Sequence, residues 1–411
     1  MTLRTAAPER VSPSRRLALL VALSSGALLS TATSVGISPF LLDIAHDLDT
    51  DLTAAGNLVA LQSISWGFAS LLAGSASDRL GRRPLLVAGL GCLVISAVGV
   101  VTSSTYLWVA LWRIFGGLGG GAYMGTVFAT VSDHVPPGER GRALGWVVTG
   151  QSLALVLGVP AMTLAGGVGG WRGAVIGHGL VVLAGACAVW LTVPPRPSRA
   201  LEQPLAFGAV ARLVGPRVLT LLAAGTTERV CYAAVAVFLP TFLLTRYDID
   251  AGHLALGLGL IAAGNLLGNL LGGQLSDRVR APQLVLAASL VMAGAVSVPT
   301  LGWAPAVPVS VLLGFAYTLV NATGRPALLT LLSEVSPAAR GAVLGLNITF
   351  ASFGWLAATV LGGLVVASAG FAALSMLTLA CGLLGGALSL AAWLLPRLRQ
   401  RALGADVLLE R

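Results

Sequence analysis

The chain of 411 residues is 56% hydrophobic and only 10% charged, with a mean hydropathy of +0.88. A soluble domain carries about 25% charged residues, so this composition excludes a water-soluble globule and makes lipid the solvent. The net charge of +9 would suit a nucleic-acid partner, but all 25 basic residues are Arg and they gather in short segments between apolar runs, which reports membrane topology instead. A spanning helix needs ~20 mostly apolar residues. Twelve such runs are expected, at 17–41, 53–75, 84–103, 106–131, 143–166, 172–193, 217–243, 252–275, 282–301, 306–332, 343–367 and 371–394. They are too long for strands and lack period-2 alternation.

Arg15 and Arg16 precede the first run, which is too long for a signal-peptide core and has no A-x-A site after it, so it is read as a retained helix. It offers Ser24, Ser25, Thr31 and Ser34 to an internal cavity. The acidic stretch Asp43, Asp47, Asp49 and Asp51 follows, beside His46. A solvated external loop accounts for it, with at most a weakly bound metal. The second span carries Trp66 and ends in Gly74-Ser-Ala-Ser-Asp78-Arg79-Leu-Gly81-Arg82-Arg83-Pro84. In this knot of charge Gly74 permits close helix packing, Gly81 permits a tight turn, and Arg82 and Arg83 anchor the loop on the inner leaflet. The fourth span holds Arg113 and Tyr123, the fifth Gly150, Gly158 and Pro160, and the sixth His178, read as a packing histidine.

The seventh span carries Glu228, Arg229 and Tyr232. The eighth holds Asn265 and Asn269, which share a face and could bond across a helix contact, and ends in Gly273-Gln-Leu-Ser-Asp277-Arg278. The tenth span aligns Thr318, Asn321 and Arg325 on one face. Ionisable residues inside a membrane are costly and point to function, so Arg113, Glu228, Arg229, Asn321 and Arg325 are the candidate substrate and proton residues. Glu228 and Arg229 are adjacent and point in different directions; Glu228 is expected to pair with Arg325 across the cavity. With both termini cytoplasmic, only Arg172 and Arg246 fall outside and only Arg113, Arg229 and Arg325 within helices, as the positive-inside rule requires.

The chain repeats itself. Val135, Pro137, Arg140, Gly141, Leu144 and Gly145 recur as Val335, Pro337, Arg340, Gly341, Leu344 and Gly345, and Gly170-Trp171 recurs as Gly370-Phe371, all 200 positions on. Gly74, Asp78 and Arg79 recur at Gly273, Asp277 and Arg278. The expected organisation is a six-helix half over 1–193, a cytoplasmic linker over 194–216 and a second six-helix half over 217–411. An even number of helices per repeat makes the repeats parallel.

These residues resemble the major facilitator superfamily over nearly the whole chain. Gly74-x3-Asp78-Arg79-x-Gly81-Arg82-Arg83 is similar to its loop motif between helices 2 and 3. Arg113-x2-Gly116-Gly117-x-Gly119 resembles the motif of proton-coupled members. Gly150, Gly158-Val-Pro160 and Gly166-Gly167 resemble the antiporter motif, with Gly-Val-Pro where Gly-Pro is usual. The second-half loop has no counterpart of Gly81-Arg82-Arg83. The resemblance implies an all-α membrane protein of twelve helices in two six-helix parallel repeats. It implies a gate at Asp78 and its worn copy at Asp277, and a seal at helix 5.

The function expected on that basis is proton-coupled efflux of a small amphipathic drug or metabolite, in the manner of the twelve-helix drug and sugar efflux branch. The protein is expected in the cell (inner) membrane as a monomer whose partners are substrate, protons and the bilayer. An importer of a sugar or organic anion is the alternative on the same fold, and a polytopic membrane enzyme the alternative from another class. No P-loop or nucleotide fingerprint is present. Cys92, Cys187, Cys231 and Cys381 all fall within spans and lack ligand spacing, so no metal, cofactor or enzymatic activity is expected.

Overall fold

The computed structural model describes residues 13–135, 140–195, 215–279, 281–303, 305–335 and 340–409. Among these residues the regular structure is helical: α1 Pro13–Val35, a 3-10 turn Ser38–Phe40, α2 Leu41–Asp47, α3 Leu52–Leu80, α4 Arg82–Thr102, α5 Tyr106–His134, α6 Arg140–Leu153, a π turn Ala154–Gly158, α7 Val159–Thr192, α8 Pro216–Tyr247, α9 Ala251–Arg278, α10 Pro282–Gly302, α11 Val307–Val335 and α12 Arg340–Leu409. Of the expected linker 194–216, residues 196–214 lie outside the described ones.

Nine stretches among the described residues are long and apolar enough to cross a membrane. Two of them, Gly145–Thr192 and Leu346–Leu394, run 48 and 49 residues, about twice what one crossing needs. Each is broken at a glycine: Gly170 has φ 64° and ψ −179°, and Gly370 has φ 78° and ψ −177°. This backbone region is open only to glycine. The two breaks are the pair matched in sequence 200 positions apart, and the expected runs fall on either side of each. Leu52–Leu80, expected as the second span, is one continuous helix of 29 residues.

Short connections follow from local chemistry. Gly81, at φ 94°, alone joins α3 to α4. The equivalent link between α9 and α10 lacks such a glycine and takes three residues, 279–281. Asp51 caps α3 by accepting from Ala54 N at 2.7 Å. Asp250 caps α9 through His253 N at 2.9 Å and the His253 ring, contacts that hold its carboxyl below the usual range. Pro160 has no N–H, so the carbonyl of Val156 loses its helical partner. The loosened ladder there is the π turn, and Val156 O faces Gly259 of α9.

Glycine ladders set the helix spacing. On α5, Gly117, Gly121 and Gly125 lie against Gln62, Trp66 and Ser70 of α3; on α9, Gly264, Gly268 and Gly272 lie against Phe315, Leu319 and Thr323 of α11. In both pairs the missing side chains let one backbone approach the other.

The two halves of the chain meet at one end. A single apolar cluster there joins Leu41, Ala55 and Val59 to Phe238, Leu243, Leu254 and Ala358. Thr53 Oγ1 donates to Gly363 O at 3.1 Å, and Gly56 faces the Phe238 ring. Toward the other end the core divides. Leu19, Leu86, Leu90 and Val131 form one cluster, and Leu221, Leu286, Leu328 and Leu331 form another. The halves are therefore sealed at the α2 end and separately packed at the opposite end.

Replacing Gly170 or Gly370 by Ala should cost about 1–3 kcal/mol each, read as a lower thermal-unfolding midpoint of the purified protein. Gly169→Ala, into open space at a helical position, should leave the midpoint unchanged; equal effects at all three positions would contradict this account of the breaks.

Candidate functional site

Among the described residues Arg113, Glu228 and Arg229 are fully buried charges, and Arg325 is partly exposed. Arg113, on α5, meets backbone: its Nη1 donates to Thr33 O at 2.9 Å, its Nη2 to Ser34 O at 2.9 Å and its Nε to Leu58 O at 3.3 Å. Thr33 and Ser34 lie in the last turn of α1, whose carbonyls have no helical partner. A cation there satisfies them and opposes the negative end of the helix. Arg113 therefore fastens α1, α3 and α5 together.

Arg172 repeats the device at the α2 end. It donates to Val101 O at 3.2 Å and Ser103 O at 3.0 Å, closing the end of α4. It also forms an ion pair with Asp47, which accepts from Trp171 Nε1 at 3.0 Å. The acidic stretch is thus partly consumed by structure, and no group of three or more metal-ligating residues occurs among the described residues.

Glu228 corrects the expected pairing. Its carboxylate binds its own neighbour: Arg229 Nε donates to Oε2 at 2.5 Å and Arg229 Nη2 donates to Oε1. Adjacent helical positions point about 100° apart, but both side chains are long enough to curl back together. Without water, the cost of isolating either charge drives them to do so. The Arg229 guanidinium also lies 4.9 Å from the Tyr232 ring centre, whose edge meets Trp355 at 6.0 Å.

Arg325 stays near this group, close enough to interact with the charge on Arg229 and with Glu228 and Tyr232. Among the described residues no carboxylate lies within ion-pair distance of it. Of its expected stripe, Thr318 is spent on α9, donating to Ile261 O at 2.5 Å. Asn321 is fully buried with both amide atoms unpartnered. Gln62 on α3 is buried in the same unmet way, a feature invisible in sequence because Gln on a helix is ordinarily a surface residue.

The loop motif is also redirected inward. Arg82, expected on the leaflet, forms an ion pair with Asp133 at 2.9 Å and donates to Ser77 Oγ. Arg83 stacks 3.9 Å over Trp190. The motif so ties α3, α4, α5 and α7. Arg79 and Arg278 are exposed and Gly273 faces open space. The Asp78 and Asp277 side chains and the surroundings of Gly74 lie outside what the structure describes.

On α6 Gly150 lies against Ser24 O, and Gly158 against Ala32, so the helix 5 motif packs on α1. His178 Nε2 lies 2.9 Å from Thr33 Oγ1 and 3.0 Å from Leu29 O, a packing role. Asn269 bonds Asn265 of the same helix, where a bond across a helix contact was expected. Tyr123 is buried and donates to Leu23 O at 2.9 Å.

The sequence pattern of the Major Facilitator Superfamily matches residues 23–324. The chain is 24% identical over 346 residues to the uncharacterized MFS-type transporter YbcL of Bacillus subtilis, covering 82% of this chain and 86% of that one. It is 29% identical over 278 residues to a chloramphenicol resistance protein of Streptomyces lividans, covering 65% and 70%. With YwfA of Bacillus subtilis, another MFS-type transporter, it shares 31% identity over 156 residues, 38% of either chain. Its fold is similar to the crystal structure of a D-xylose-proton symporter, with a TM-score of 0.75, 19% identity and coverage of 92% and 97%.

If Glu228 is held by Arg229 and not by Arg325, Arg229→Ala strands a buried carboxylate and should cost about 3–5 kcal/mol. The double replacement Glu228→Leu/Arg229→Met should cost less than that single change, and Arg325→Ala should cost little. Thermal unfolding of the three variants checks the order, and Arg325→Ala as the most damaging would reverse the pairing.

Proposed function

The chain belongs to the Major Facilitator Superfamily, and on that premise we propose that it exports a small amphipathic compound in exchange for protons, by alternating access. It is a multi-pass membrane transporter and not an enzyme. In the proposed arrangement twelve spans form two six-helix halves, both termini are cytoplasmic, and the protein works as a monomer in the cell membrane. With that orientation the α2 end is external. The structure, sealed there and with separate cores at the other end, corresponds to an inward-facing state.

The observation that carries the reading is Glu228, the only fully buried carboxylate among the described residues, bound to one arginine with another close by. A proton on Glu228 cancels its attraction for Arg229. The freed guanidinium then faces Arg325 as a like charge in a poorly screened site, which favours a different packing of α8 and α11. Re-forming the pair expels the proton. A carboxylate whose partner changes between states is how a buried acid exchanges protons with two sides of a membrane. The gate of this proposal is the loop motif with Asp78 and Asp277, and its seal is the helix 5 segment against α1. Export is supported by the Streptomyces lividans relative, named for chloramphenicol resistance.

Cells producing the chain should tolerate more of at least one drug in a lipophilic panel that includes chloramphenicol, and an uncoupler should remove that tolerance. Glu228→Gln, compared with wild type at equal amounts of protein in the membrane, should lose efflux driven by a pH gradient. Undiminished pH-driven efflux by that variant would defeat the proton role.

A further inference from the structure

Charge in the bundle interior does not balance. Among the described residues three arginines, Arg113, Arg229 and Arg325, stand against one carboxylate, Glu228. Arg113 is answered by three carbonyls and Arg229 by Glu228. Arg325 has neither an ion-pair partner nor a hydrogen bond among the described residues, and it keeps partial exposure.

We infer that Arg325 receives the carboxylate or phosphate of a small amphipathic anion, which makes the transported compound an organic acid. This rests on the proposed export function and narrows its substrate to one charge type.

The register of α11 on α8 supports the site. Tyr317 Oη donates to Cys231 O at 2.6 Å, and Leu328 packs on Gly225. Between these two contacts the antiparallel helices bring Asn321 and Arg325 level with Glu228. Asn321, one turn from Arg325, holds an unmet amide donor and an unmet acceptor. A buried amide left this way costs stability and gains from a ligand that can both accept and donate. Tyr232, near enough to Arg325 to interact with its charge, meets Trp355 edge-on and supplies aromatic surface on that side. A cationic compound would meet Arg325 and Arg229 together, and a neutral one would leave Arg325 unanswered. An anion with a flat apolar body satisfies charge, amide and ring faces at once.

Four probes of one shape separate the possibilities: benzoate and phenyl phosphate, benzamide, and benzylamine. They would be titrated calorimetrically into the full-length protein in phosphatidylcholine nanodiscs. At least one of the two anions should bind about tenfold or more tightly than benzamide and benzylamine. Arg325→Gln should remove that preference while benzamide affinity stays as it was, and Arg325→Lys should retain part of it. Equal binding of all four probes by the wild type would overturn the inference, a result that needs no variant to fold. So would an anion preference that survives in Arg325→Gln. A wild type without anion preference but with Glu228-dependent efflux removes this site alone; an anion preference in the wild type with no proton dependence removes the coupling and leaves the site.

Discussion

A charge inside a bilayer has no water to turn to, so the protein must answer it. The bundle answers its three interior arginines in three ways. Arg113 is dispersed over the open carbonyls of α1 and one of α3. Its charge becomes a structural fastening with no need of a counterion. Arg229 is neutralised by the residue beside it. Arg325 is left partly exposed, with no carboxylate at ion-pair distance among the described residues. The first half therefore uses its buried arginine to hold helices together, while in the second half one arginine is paired with a carboxylate and the other has no such partner among the described residues.

Within each half, glycine brings helices close. The α3–α5 pair takes its glycines from α5 and the α9–α11 pair takes them from α9. Equivalent helix pairs in a repeated architecture thus reach the same close approach with opposite partners supplying the small residues. Lipid gives no hydrophobic drive for association, so backbone contact of this kind supplies much of the packing energy. Each half keeps its own core at one end, and a single cluster unites them at the other.

Features that depend on local chemistry were legible in the sequence. Apolar length marked the spans. The need for positive φ marked Gly81, and the Gly170/Gly370 pair, noticed only as a repeat, turned out to share one backbone conformation. Features that depend on side-chain reach were not legible. The 100° rule that separates Glu228 from Arg229 is true of their Cβ atoms and false of their charged ends. Positive-inside reasoning expects Arg82 in a loop on the leaflet; it is instead the first residue of α4 and pairs with Asp133 of α5. The shared face of Thr318, Asn321 and Arg325 is real as helix geometry; neighbouring backbone then captured Thr318 and left Asn321 unmet.

Three consecutive residues of α12 place the seam between the halves next to the Glu228–Arg229 pair. Ser352 packs against Gly67 of α3, and Phe353 meets Phe68 edge-on at 6.4 Å; both contacts cross the seam. Gly354, the next residue, lies against the Arg229 side chain and the carbonyl of Thr226. A side chain at position 354 would collide with both, so the α12 and α8 backbones approach closely beside Arg229. The contacts to α3 across the seam and the close approach to α8 therefore fall on consecutive residues of one helix.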